Sequence, residues 1–341
     1  MFRPRGFCTP SPHWRCKSPP YLLPVPLRLA TFNLESLDFA PSDPLWFEAR
    51  AAVLRPVLAA LDADVLCLQE VNAQHQPGEA RRSLLALQML IDGSVCQGFH
   101  LVHSIRPGGT GPADVHNLAI LSRWPIAAHG QIHHDLVPAP KWPPLHGGEA
   151  VPLTFDRPLL HARIDPPGER PLHLINLHLR APRAAFLPGG RDEGGWRSLS
   201  HWAEAYYLAG WKRQGQALEA RLFAEALFDA DPLARIAVCG DLNAEAHEAP
   251  TRILQALPED METQAFAARA LTPLERRVTE DARYTVLHDG RPVLLDHMLA
   301  SPTLAAACRE VRILNAGLAD EAHVSGPVVG SLHAPLLAIF D

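Results

Sequence analysis

Short apolar runs that stop at a chemically capable side chain recur through this chain, and they constrain its fold more than any other feature. The runs are Leu27–Asn33, Val65–Val71, Leu118–Leu121, Leu172–Leu179, Ile236–Cys239, Val293–Ala300 and Leu336–Phe340. Each is shorter than an ordinary helix and reads as a buried strand. Asn33, Glu70, His178, Asp241 and Asp296 lie at or near the ends of such runs. Reactive groups at strand ends sit on rigid backbone and can share one rim of a sheet. Between the runs, apolar residues recur at helical spacing over Pro44–Leu61, Gly78–Leu90, Trp211–Phe228 and Thr251–Leu257. In the third of these, Leu218, Leu222, Phe223 and Ala226 are expected on the buried side. Lys212, Arg213, Glu219 and Arg221 are expected on the wet side.

Strands alternating with helices point to an α/β chain. Two stretches, 137–152 and 181–202, are rich in proline or glycine and read as long loops of functional interest. With no repeat and no change of composition after residue 27, one domain over 27–341 is expected. The proline-rich residues 1–26 read as a disordered extension or a start codon placed too early, because they lack a continuous apolar segment. A net charge of -6 argues against a protein that grips long duplex nucleic acid through an extended basic face. No run is long enough to span a membrane. Six cysteines without a CxxC pair read as reduced and structural, which favours a cytoplasmic monomer over a disulfide scaffold.

Four segments carry the chemistry. In Ile236–Asn243 a strand runs through Gly240 into Asp241 and Asn243, two apart and so on one face. A carboxylate can orient or deprotonate a water there, and an amide can donate to a phosphoryl oxygen; an Asx turn explains the same pair equally well. Glu70 closes a buried strand, and one well-placed carboxylate can anchor Mg2+. Asn176 and His178 share a strand face, while His173 points the other way. His333 follows Ser331, and Asp296 precedes His297, so a base with an orienting carboxylate is available.

Taken in order, these segments resemble the endonuclease/exonuclease/phosphatase superfamily over Leu27 to Asp341. The motifs are Thr31-Phe-Asn-Leu-Glu35, Leu68-Gln-Glu-Val71, Asn117-Leu-Ala-Ile-Leu-Ser-Arg123, Asn176-Leu-His-Leu179, Gly240-Asp-Leu-Asn243, and a C-terminal pair formed by Leu295–Ser301 and Ser331–Pro335. The resemblance implies a four-layer α/β/β/α sandwich, two mixed sheets face to face with helices outside. It implies Mg2+ or Mn2+ at Glu70, with Asn33 and Glu35 beside it. Asp241 would activate water, Asn243 and His178 would hold phosphoryl oxygens, and His333 oriented by Asp296 would stabilise charge. Asn117 and Arg180 are expected near the substrate, a phosphodiester such as nucleic acid.

One departure matters. The family pattern is Ser-Asp-His at the last motif, whereas this chain has Ser331-Leu332-His333. Altered metal affinity is expected, with His297 a candidate to compensate. The leading expectation is a divalent-metal phosphodiesterase, most simply a nuclease. The alternatives are a phosphatase or phospholipase C-like enzyme on an inositol or lipid headgroup, and a binding module whose catalysis has lapsed. Arg157 and the tryptophans at 142, 196, 202 and 211 are expected to support the fold at least as much as the substrate.

Overall fold

The computed structural model describes residues 26–341, so the reading of residues 1–26 falls, apart from Pro26, outside the described residues, as do Cys8 and Cys16. Twelve strands form two six-stranded sheets. They are β1 (Leu27–Leu37), β2 (Val65–Val71), β3 (His100–His103), β4 (Asn117–Ser122), β5 (Ile126–Ile132), β6 (Leu159–Ile164), β7 (Leu172–His178), β8 (Arg235–Asp241), β9 (Thr272–Pro273), β10 (Asp296–Ala300), β11 (Cys308–Ile313) and β12 (Leu336–Phe340). The first sheet has the order β11-β12-β1-β2-β4-β3 and the second β9-β10-β8-β7-β6-β5. Each is mixed: β1 and β2 pair in parallel, as do β7 and β8, and the remaining pairs are antiparallel.

The sheets pack face to face. Leu29, Val65, Cys67, Leu118, Ile120 and Phe340 of the first sheet share one buried cluster with Leu160, Ile164, Leu174, Cys239 and Met298 of the second. The opposite face of the first sheet is covered by α1 (Pro44–Leu61) and α2 (Leu85–Ile91) through Phe47, Leu54, Leu58, Leu87 and Leu90. The opposite face of the second is covered by α3 (Leu199–Ala230) and α4 (Ala249–Gln255) through Ala217, Ala220, Ala224, Phe228 and Leu254. This is the expected four-layer sandwich, with the alternating strand residues feeding two separate cores.

Several local expectations need correction. Gly78–Leu84 is not helical: Gly78 sits at φ +84°, and the helix begins only at Leu85. The helix read at Thr251–Leu257 spans Ala249–Gln255. The helix read at Trp211–Phe228 extends back to Leu199, so the second long loop is shorter than it looked. Its faces are exchanged in part, since Phe223 packs on the core as expected. Leu218 and Leu222 are exposed, whereas Arg213, Glu219 and Arg221 are buried. The alanines at 217, 220 and 224 let α3 approach the sheet closely, and the buried charges are all engaged. Glu219 accepts the backbone N–H groups of His134, Leu136 and Val137, and Arg221 donates to the carbonyls of Leu254 and Arg269. Burying a charged group is tolerable when its hydrogen bonds are met in this way.

Candidate active site

Strand register assembles the site. Asp241 is paired with His178 across the parallel β7–β8 ladder and with Asp296 across the antiparallel β8–β10 ladder. Three chemically capable residues therefore form one row at the end of the second sheet. The ends of β1 and β2, carrying Asn33 and Glu70, face this row from the first sheet. Asn33 Nδ2 donates to Asp241 Oδ2 at 3.1 Å, so the two sheets touch through side chains of the site. Gly240 makes the row possible. A β-carbon there would lie 1.9 Å from the Leu177 carbonyl oxygen, and the residue sits at φ +137°.

Two clusters of metal-capable donors occur among the described residues: Glu70, His116 and His178, and Asp241, Asp296 and His333. In the second, His333 Nδ1 lies 2.7 Å from Asp296 Oδ2, and its Nε2 lies 3.9 Å from Asp241 Oδ2. Burial opposes a charged His333, but Asp296 and Asp241 carry its pKa up to about 10, so the ring is an imidazolium at neutral pH. Burial pushes Asp241 up to about 7; the His333 charge opposes this, and Asp296 adds to it. Asn243, at φ +48°, turns back on Asp241: its backbone N–H donates to Oδ1 at 2.8 Å and its Nδ2 to Oδ2 at 3.1 Å. The same Nδ2 also donates to the Leu179 carbonyl at 3.0 Å, so both amide protons are engaged within the protein. Arg213 of α3 holds the Asn243 carbonyl.

In the first cluster, Glu70 lies between two rings. Its Oε2 is 3.6 Å from His116 Nδ1, and its Oε1 is 3.7 Å from His178 Nε2. The Ser36 N–H and hydroxyl both donate to Oε2, at 2.9 and 3.1 Å. Burial alone would raise the Glu70 carboxyl, but the His116 and His178 imidazoles beside it hold it well below the usual range. Glu35 goes the other way: burial raises it, with His333 opposing. Burial and then Arg157 hold His178 well below the ordinary histidine value, so it is neutral here. Its Nε2 also lies 3.4 Å from Asp241 Oδ2. A carboxylate kept ionised between two imidazoles, with the buried His116 Nδ1 lacking a hydrogen-bond partner, is a donor set that fits a dication.

The rim therefore gathers Asn33, Glu35, Glu70, His178, Asp241, Asn243, Asp296 and His333. Asn33 is wholly buried with its amide engaged at both ends, since Oδ1 accepts from the Glu35 N–H at 2.9 Å. One of its two amide protons positions Asp241. Asn117 is likewise turned inward: it bonds the Val71 and Ala113 carbonyls and the Ala113 N–H, so it ties a loop down instead of facing a substrate. Arg180 is paired with Asp156. Arg157 donates to the His178 carbonyl at 2.8 Å, a support for the strand end. His297 points away, buried between Glu275 and the Ala244 carbonyl, and so does not stand in for the carboxylate replaced by Leu332.

Three contributors escaped the sequence reading. Ser36 orients Glu70. Arg50, buried at 4% exposure, donates to the carbonyls of Leu34, Ser36 and Gly330 and so ties the end of β1 to the loop carrying His333. His116 precedes the Asn117 motif, with no partner at a telling spacing, and only the fold brings it to Glu70. A backbone signal marks the whole group: Glu35, Ser36, Glu70, His116 and Asn243 all adopt left-handed φ values between 48° and 57°. Such backbone costs free energy for residues other than glycine and concentrates at functional sites.

The profile of the endonuclease/exonuclease/phosphatase family matches residues 30–325. The chain belongs to this family. Family members are phosphodiesterases, nucleases and phosphatases, and the chain is accordingly a hydrolase acting on ester bonds. Its fold is similar to that of an AP endonuclease from Archaeoglobus fulgidus, at 18% identity and TM-score 0.52 over 92% of this chain and 99% of the other. It is similar to the 3′ phosphatase NExo from Neisseria bound to product DNA hairpin, at 18% identity and TM-score 0.51 over 92% and 99%. An endonuclease/exonuclease/phosphatase from Bacteroides vulgatus gives 15% identity and TM-score 0.56 over 93% and 99%. At these identities the likeness is one of fold. No curated protein sequence matches. No described helix is long and apolar enough to cross a membrane.

Proposed function

We propose that this single domain, residues 27–341, hydrolyses a phosphodiester with the aid of a divalent metal, Mg2+ or Mn2+, held at Glu70, and that its substrate is a nucleic acid. The observation that carries this reading is the row of His178, Asp241 and Asp296 facing Glu70 across the rim, with His333 bonded to Asp296. Asp241 accepts the proton of the attacking water. A pKa of about 7 suits a general base working near neutrality. Asn33 and Asn243 fix the carboxylate through three hydrogen bonds, so Asn243 acts through Asp241 and not on the phosphoryl group. The His333 imidazolium donates to a phosphoryl oxygen where charge builds, and Asp296 holds its ring in place. Neutral His178 lines the other side. A dication at Glu70 would supply charge neutralisation at the phosphoryl oxygens.

The DNA hairpin bound to the Neisseria 3′ phosphatase motivates nucleic acid as the substrate class. Hydrolysis of bis-p-nitrophenyl phosphate with and without EDTA separates an enzyme from a lapsed binding module. A parallel panel of DNA, RNA, an inositol phosphate and sphingomyelin separates a nuclease from a phosphatase or phospholipase C-like enzyme. EDTA-sensitive turnover with preference for DNA or RNA is expected, falling by about a thousandfold or more in Asp241→Asn. EDTA-resistant turnover, or an unchanged Asp241→Asn, overturns the proposal.

A further inference from the structure

We propose that His116 is a metal ligand, and that with Glu70 it forms a mixed nitrogen–oxygen site selecting a transition-metal dication over Mg2+. This rests on the reading of Glu70 as the metal anchor. Donor atoms of Glu70, His116 and His178 all lie within 4.8 Å of one another. The 3.6 Å between His116 Nδ1 and Glu70 Oε2 is long for a hydrogen bond. It is close to the roughly 3.4 Å edge that two donors ~2.1 Å from one tetrahedral ion would have. Nδ1 is buried and has no hydrogen-bond partner among the described residues, an arrangement a neutral ring otherwise avoids.

The His116 backbone is held for this purpose. It sits at φ +57°, and its N–H donates to Asn72 Oδ1 at 3.0 Å, which fixes the turn that aims the ring at Glu70. Ser36 fixes the carboxylate through Oε2, the oxygen that faces His116. The ring and the carboxylate are thus both preorganised, by contacts that a simple ion pair does not require. The chemistry follows from the donor atoms. Mg2+ takes oxygen ligands and keeps its waters, whereas imidazole suits the later first-row ions. Leu332 supplies no oxygen where the resembling family has a carboxylate, and His116 supplies a nitrogen from the turn that leads into β4. The exchange moves the site toward ions such as Co2+ or Zn2+.

The test uses the full chain stripped of metal. Co2+ binding is followed by visible absorption, Mg2+ binding by displacement of Co2+, and histidine ligation by nitrogen modulation in pulsed electron paramagnetic resonance of the Mn2+ form. Co2+ is expected to bind at least ~100-fold more tightly than Mg2+. His116→Asn should weaken Co2+ by about tenfold or more, leave Mg2+ within about threefold, and remove one histidine nitrogen from the spectrum. Glu70→Gln should lose both ions. Retained metal binding in Glu70→Gln overturns the anchor reading itself. Lost binding there, with an unchanged His116→Asn, overturns the His116 proposal alone. A wild-type spectrum with no histidine nitrogen overturns it even if neither variant folds.

Discussion

At the scale of single residues, the site separates groups that meet the substrate from groups that hold them. Asp296 is of the second kind: its Oδ2 receives His333 Nδ1 at 2.7 Å and sets which nitrogen faces the rim. Asp296→Asn is expected to lower kcat by about a hundredfold or more with a smaller change in KM, because the ring loses both its orientation and the charge that keeps it protonated. A shift of the alkaline limb of the pH–rate profile to lower pH should accompany the loss; an unmoved limb would show that His333 does not depend on Asp296. Leu332 is the complementary case. Leu332→Asp restores a carboxylate close to Glu35 and should lower the Mg2+ concentration for half-maximal activity by about threefold or more. An unchanged Mg2+ titration counts against any role of that position in metal binding.

At the scale of elements, the strands that the sequence hid are those at or near sheet edges. β3 and β11 border the first sheet, and β9 and β5 border the second, with β6 next to β5. β5 is exposed over much of its length, and β11 alternates cysteine, valine and isoleucine with Arg309, Glu310 and Arg312. Edge strands carry polar groups on the face that water reaches, so no continuous apolar run appears. The packing of β6 and β7 under α3 makes a separate prediction. His161 Nε2 lies 3.1 Å from His173 Nδ1, the rings stack, and Phe223 packs edge-on against His161. Burial, then the His173 charge, lowers His161 from 6.5 to about 4. Between these values the unfolded chain binds the proton more readily than the folded one, so stability falls as pH falls from 6.5 and levels off below about 4. His161→Phe should therefore lose less denaturation midpoint than the wild type between neutral pH and the acid end of that window. Equal losses would remove His161 from the acid response.

At the scale of the whole molecule, two polar cross-links join the sheets. One is Asn33 to Asp241. The other lies deeper: Asn176 of β7 accepts from Gln69 Nε2 at 2.7 Å and donates to the Leu68 and Ala119 carbonyls, each at 3.0 Å. All of this lies in a fully buried layer, where an unmet polar group is costly. Asn176→Ala should destabilise the fold by about 3 kcal/mol, since it takes the shortest of three bonds from Gln69 Nε2, which keeps Thr31 and Cys67, and removes a side-chain donor from two buried carbonyls. Chemical denaturation checks this, and a change below about 0.5 kcal/mol would mean the layer repacks or admits water. Because Asn176 lies two residues before His178, the same link sets the depth at which the two sheet ends face one another.

The sequence by itself determined the strand runs of the cores, the helix at Pro44–Leu61 and the residues of the rim row, because burial and alternation act locally and leave a period in the chain. It also supplied the ordered motifs from which the sandwich was expected. It could not determine which face of α3 is buried, since buried Glu219 and Arg221 are stabilised by carbonyls and amides far away in the chain. Nor could it place Ser36, Arg50 or His116. Their contacts depend on left-handed turns and on strand register, and register is a property of pairs of strands. The approach of His116 to Glu70 belongs to the tertiary structure alone: 46 positions separate the two residues, and only the pairing of β2 with β4 brings them together.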